Sequence, residues 1–113
     1  MGRDTPLVGS KVKECFERRE KEALELIRDS GINFVELGIF GSYARNEYTA
    51  TSDIDMLAIV KTHPDRRISG ELREILDNIK VDLVYVTPEY FANSTDNFAC
   101  KVREDYIRRL LNE

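Results

Sequence analysis

Gly41, Ser42, Asp53, Asp55 and Asp82 are the residues of this 113-residue chain whose types and spacing could do chemistry together. Asp53 and Asp55 stand at i and i+2 at the head of an apolar run that ends at Val60 and predicts a strand, so both carboxylates project from one face. Asp82 lies one residue into a second such run, Val81-Asp82-Leu83-Val84-Tyr85-Val86. A lone Asp at a strand start is an ordinary solvated end, but two on one face oppose each other. Like charges ~4 Å apart repel by about 4 kcal/mol at an effective dielectric of 20, so the group calls for a proton or a cation. Oxygen donors without His or Cys among them select Mg²⁺ or Mn²⁺ over zinc. Gly41-Ser42 offers the complement. Glycine lets backbone approach a ligand closely, and a serine at a helix start sets a hydroxyl beside the free N–H groups that attract phosphate.

The spacing constrains the elements that must bring these residues together. The ten residues from Tyr43 to Ser52 separate Ser42 from Asp53. A strand over 33–40 ends at Gly41, and a strand over 53–60 begins with the carboxylates. For both to serve one site the chain must turn back, so these strands are antiparallel; a parallel crossover needs about a dozen residues or more. Asp82 opens a third strand, 80–86, which must then run parallel to the second through a right-handed helical crossover. The second strand is central, and one end of the mixed sheet carries a phosphate cradle and three carboxylates. That combination describes metal-dependent nucleotidyl transfer.

The remaining pattern supplies the layers. Ser10 is placed to cap a helix reaching Asp29, stopped by Ser30-Gly31, with Val12, Phe16, Ala23, Leu24 and Ile27 as its stripe. Glu14/Arg18 and Glu17/Lys21 stand at i,i+4 on its wet side. A short helix is expected over Ser42–Asn46, then a polar loop through Thr51-Ser52. His63-Pro64-Asp65 reads as a turn, with His63 a surface residue. Ser69 is placed to cap a helix over 69–78 whose Leu72, Ile75, Leu76 and Ile79 keep helical spacing. Thr87-Pro88-Glu89 reads as a helix start. A final helix is expected over Phe98–Leu111, with Phe98, Val102, Tyr106 and Leu110 as its stripe and Lys101, Arg103, Arg108 and Arg109 as a basic tail. The order α-β-α-β-α-β-α predicts an α/β (α+β) domain: one small mixed β-sheet of at least three strands flanked by helices.

Composition narrows the class. The length suits one domain, 1–113, with residues 1–9 as a loose lead-in. Seventeen basic against 21 acidic residues give a net charge of −4, so nucleic acid is not expected as the main ligand. With 42% hydrophobic and 34% charged residues the chain is globular. It has no apolar run of membrane-spanning length, and because Met1-Gly2-Arg3-Asp4-Thr5-Pro6 offers neither an apolar h-region nor a myristoylation pattern, no signal peptide or acyl anchor is expected. Cys15 and Cys100, far apart in sequence, are expected to be reduced, buried thiols of a cytoplasmic protein.

Gly41-Ser42-x10-Asp53-Ile54-Asp55 resembles the signature of the polymerase-β-like nucleotidyltransferase superfamily, and Val81-Asp82-Leu83-Val84 resembles its third-carboxylate strand. Gly-Ser-Tyr-Ala-Arg-Asn-Glu with Ser-Asp-Ile-Asp-Met-Leu is most similar to the minimal nucleotidyltransferases (MNT), the small stand-alone branch. The likeness covers residues 34–60 and 80–86. One departure is Asn46, where family members commonly carry Gly; Asn is the next residue best tolerated in a left-handed conformation. The resemblance implies two Mg²⁺ ions held by Asp53 and Asp55, with Asp82 completing the first and helping to activate the attacking hydroxyl. It implies that Gly41, Ser42 and Arg45 bind the phosphates of ATP, and that pyrophosphate leaves as the α-phosphate is attacked in line.

The resemblance extends to the antitoxin of HEPN/MNT toxin–antitoxin pairs, which attaches AMP to a tyrosine of the HEPN toxin. ATP and a HEPN-family partner are therefore the expected ligands. Two alternatives remain at this level: nucleotidyl transfer to a small hydroxylated molecule, whose enzymes are longer, and neutralisation of a partner by contact alone. Keeping mutually repelling carboxylates weighs against the last.

Overall fold

A computed structural model describes residues 9–112. The chain runs α1 (Ser10–Asp29), β1 (Glu36–Phe40), α2 (Gly41–Ala44), β2 (Ile54–Ile59), α3 (Arg66–Asp77), β3 (Val81–Val86), α4 (Pro88–Asn93), α5 (Asn97–Asp105) and β4 (Ile107–Leu111). The sheet order is β3-β2-β1-β4. β1 is antiparallel to both β2 and β4, and β2 is parallel to β3, as the placement of the carboxylates requires. Among the described residues no helix is long and apolar enough to cross a membrane. Of the expected lead-in, residues 1–8 lie outside the described residues.

Alternation divides the core into two layers. Ile54, Met56 and Ala58 of β2 join Leu37 and Ile39 of β1 beneath α1 and α3, which contribute Phe16, Ala23, Ile27, Leu72 and Leu76. Leu57 and Ile59 face the other way, toward Val102 of α5, with Val84, Val86, Phe91 and Tyr106 around them. Asp53 and Asp55 share the parity of Leu57, and Asp82 that of Val84, so all three carboxylates lie at the end of the sheet face that α5 covers.

Several boundaries differ from expectation. Gly9, not Ser10, stands at the cap of α1, where no side chain caps the helix. α3 begins earlier than Ser69 because the Asp65 carboxylate accepts the Arg67 N–H at 2.8 Å; Ser69 lies inside the helix and donates to the Arg66 carbonyl. Thr87 caps α4 as expected, accepting from the Tyr90 N–H at 3.1 Å, with Pro88 in the first turn.

The expected final helix over Phe98–Leu111 is corrected. α5 ends at Asp105, Tyr106 turns extended, and Ile107–Leu111 pairs with β1 as a fourth strand. The stripe through Tyr106 and Leu110 fitted a helix, but β1 would otherwise expose an unpaired edge. Tyr106 crosses over Gly38, where a Cβ would collide with its ring and stand 2.5 Å from the Ile107 carbonyl oxygen. Burial of the thiols is corrected too: Cys15 and Cys100 are free and exposed, on the outer faces of α1 and α5. The basic tail is divided accordingly, with Lys101 and Arg103 on α5 and Arg108 and Arg109 on β4.

Candidate active site

The structure brings the sequence-selected residues to one end of the sheet. Asp55 of β2 lies in register with Asp82 of β3 on one side and with Phe40 of β1 on the other. Neighbouring strands are about 4.8 Å apart, so Asp55 and Asp82 are direct cross-strand neighbours. Asp53 precedes β2 by one residue and is exposed, as is Asp82; Asp55 is half-buried between them. Burial raises the pKa of Asp55 above the ordinary carboxylate value, and the charges of Asp82 and Asp53 raise it further, while Arg45 lowers it. The three carboxylates thus form one electrostatic unit.

Gly41 closes the inner side. Its φ of +77° is left-handed, a conformation that side chains make costly. A Cβ there would stand 2.5 Å from Oδ2 of Asp55. The first residue of α2 therefore presses its backbone against the middle carboxylate, and Ser42 follows at the same helix start. On the outer side Asp53, Asp77, Lys80, Val81 and Asp82 line a cleft of about 310 Å³. The donor set suits a hard divalent cation. Among the described residues, no three His, Cys, Asp or Glu side chains converge as a finished metal cage. A half-buried carboxylate between two exposed ones, with backbone N–H groups beside it, is an arrangement that a cation with phosphate oxygens can complete.

A family model for the nucleotidyltransferase domain matches residues 11–110. The chain belongs to this family. Protein adenylyltransferase MJ1215 of Methanocaldococcus jannaschii, provisionally so named, is 40% identical over 78 residues, covering 66% of this chain and 85% of that protein. A structure from Sulfolobus solfataricus, itself provisionally a nucleotidyltransferase, has a TM-score of 0.63 at 25% identity, covering 99% of this chain and 93% of that one. A chain from the Shewanella oneidensis complex of tri-AMPylated HEPN toxin with MNT antitoxin has a TM-score of 0.57 at 22% identity, covering 85% and 72%; at that identity the likeness speaks for the fold.

The nucleotidyltransferase also shows what positions the site. Tyr43, on α2 beside the cradle, donates its hydroxyl to Glu20 at 2.7 Å, and Arg109 of β4 pairs with the other Glu20 oxygen at 2.6 Å. This cluster ties α1, α2 and β4 together. Arg19 of α1 donates to the carbonyls of Ile79 and Lys80 at 2.7 and 2.8 Å, fixing the turn that delivers Asp82. Asn46 takes φ +63°, the left-handed conformation anticipated for it. Arg45 is turned to Asp105 at 2.6 Å and Glu47 at 3.0 Å. Sequence reasoning missed Asp77 and Lys80: Asp77 ends α3, and Lys80 closes the turn before β3 at φ +57° without the glycine that would have marked it.

Proposed function

We propose that this nucleotidyltransferase uses ATP with Mg²⁺ to transfer AMP to a tyrosine hydroxyl of a HEPN-family toxin, acting as its antitoxin. The observation that carries the reading is Asp55 held between Gly41 and Asp82, with Asp53 beside it. Asp53 and Asp55 would hold two Mg²⁺ ions, which supply charge for the attacking and leaving oxygens of an in-line displacement. Gly41 and Ser42 give the β- and γ-phosphates backbone and hydroxyl donors in a space that no Cβ occupies. Asp82, exposed at the mouth of the cleft, faces the arriving hydroxyl and helps draw off its proton. The new bond joins the tyrosine oxygen to the α-phosphorus; the bond from that phosphorus to the bridging oxygen breaks, and pyrophosphate leaves.

A protein acceptor is supported by the adenylyltransferase name of the relative and by the AMPylated toxin in the structural neighbour. AMP on a tyrosine adds charge and bulk that disable a nearby RNA-binding surface. The test mixes the protein, ATP and Mg²⁺ with the product of the neighbouring reading frame and reads the products by mass spectrometry. AMP on a tyrosine of that protein is expected. Transfer to small hydroxylated molecules, with the neighbour unmodified, would overturn the protein-acceptor reading.

A further inference from the structure

β3 is an edge strand. The Lys80 and Val86 carbonyls accept from Ile54 and Val60 N–H groups at 3.0 and 2.8 Å. In a parallel ladder alternate residues bond inward, so Val81, Leu83 and Tyr85 turn their N–H and C=O groups away from β2. Val81 is itself buried, so the accessible part of the edge is Leu83 and Tyr85, both half-buried. Natural edges are blunted by Lys, Pro, bulges or cover. β3 carries none of the first two, its pairing with β2 is regular throughout, and its single charge is Asp82.

Grooves flank this edge on both faces. On the α3 side, the side chains of Leu83 and Tyr85 floor a groove of about 310 Å³ whose walls carry His63, Arg66 and Arg73. No acidic residue lines it, and among the described residues neither arginine makes an ion pair. Gly70 leaves one wall open, with nothing within 4 Å of the position of a Cβ. On the carboxylate side, Val84, Val86, Tyr90 and Phe98 line a second groove of about 330 Å³, and Phe98 is 40% exposed. In a chain with net charge −4, a groove walled by two guanidinium groups and an imidazole selects acidic side chains.

We infer that the free edge of β3 receives an extended acidic segment of the acceptor protein as an added strand. Strand addition takes affinity from main-chain hydrogen bonds and specificity from pockets for alternate side chains. Alternate side chains of the added strand drop into the arginine-walled groove, where Asp or Glu is matched. The others run along Asp82, Val84 and Val86, apolar over the valines. A hydroxyl-bearing residue in this second set lies beside Asp82, at the reacting end. This inference rests on the protein-acceptor reading and adds how the acceptor is seated.

The probes are eight-residue peptides alternating Glu with Val, Leu, Phe or Tyr, and their Lys-for-Glu counterparts, titrated onto the full chain at low salt. The Glu series is expected to bind at least about tenfold tighter than the Lys series and to slow amide exchange at Leu83 and Tyr85. Leu83→Pro removes an outward N–H that the ladder does not use. Arg66→Glu with Arg73→Glu reverses the groove's charge at exposed helix positions. Both variants are expected to lose the Glu peptides while keeping the affinity for an ATP analogue, and the double variant is the control should Leu83→Pro unfold. Equal binding of the two series, no protection at these amides, or Glu-peptide binding that survives the double reversal would overturn the inference. So would a peptide-free dimer whose β3 amides are already protected, since a second copy would then hold the edge. Peptide binding with no AMP transfer to the neighbouring protein would strike the proposed function alone.

Discussion

The Cβ that Gly41 lacks would stand 2.5 Å from Oδ2 of Asp55, so the proposed phosphate cradle and the middle of the three carboxylates share one small space. Gly41→Ala should cost about 1–3 kcal/mol, from a left-handed φ and the displaced carboxylate, and Gly41→Val more. Both should lose nucleotide binding, whereas Ser42→Ala should lose less because the backbone donors remain. Thermal melting with calorimetric titration of a non-hydrolysable ATP analogue measures both effects. A Gly41→Val protein that melts and binds like the parent would place the cradle elsewhere.

Asp55 sets a pH dependence of known sign. Its folded pKa is raised, chiefly by burial and then by Asp82 and Asp53. A carboxyl whose pKa rises on folding contributes stability that is fully present below its unfolded pKa and lost as pH rises through the folded value. Asp55→Asn should therefore raise the melting temperature at pH 7, with the gain vanishing once the parent's carboxyl is protonated in both states. Transfer activity should be lost in Asp55→Asn and in Asp53→Ala although both remain folded. Melting curves across pH 3–8, with label transfer from ATP measured alongside, check the two outcomes together. Retained activity in either variant would end the two-metal account.

Most of the candidate site's placement was legible because its restraints are short in sequence. Asp53 and Asp55 at i and i+2, and a ten-residue link back to Ser42, dictate strand directions with no knowledge of distant packing. β4 was not legible. The stripe of Phe98, Val102, Tyr106 and Leu110 suits a helix, and the reason that Ile107–Leu111 becomes a strand is the otherwise open edge of β1, far back in the sequence at Glu36–Phe40. The exposure of Cys15 escaped for a related reason: Phe16 beside it points into the core and leaves Cys15 on the wet side of α1. The Arg45 ion pair with Asp105 joins α2 to α5 and depends on that same placement of α5.

The cluster at Glu20 predicts a stability effect felt at the site. Glu20 is 7% exposed and accepts from Tyr43 and Arg109. Tyr43→Phe removes a hydrogen bond to a charged group and should cost about 1.5–3 kcal/mol. Arg109→Ala leaves the carboxylate without its cation; because Arg109 is itself partly exposed, water recovers part of the loss, and about 1–3 kcal/mol is expected. Glu20→Gln should be milder than either, since it removes the buried charge and keeps an acceptor for Tyr43. Urea unfolding of the three variants orders them. A Glu20→Gln protein less stable than Arg109→Ala would show that the cluster is not held by compensation of a buried charge.

Arg45 makes the sharpest prediction, because two claims on it compete. Its guanidinium contacts Asp105 at 2.6 Å and Glu47 at 3.0 Å, yet its charge also lowers the pKa of Asp55, so it stands within electrostatic reach of the site. A triphosphate offers a guanidinium denser charge and bidentate oxygens. Turning to it means releasing Asp105. Asp105→Asn should therefore tighten nucleotide binding by a few-fold, on the order of 0.5–1 kcal/mol. The substitution costs α5 little, since a carboxylate at a helix C-terminus is unfavourable to begin with. Arg45→Ala should weaken binding about tenfold, or ~1.4 kcal/mol. Titration with the ATP analogue measures both variants, with melting temperatures as controls for folding. Parent-like affinity in the two together would leave Arg45 as a tie between α2 and α5 with no part in holding ATP.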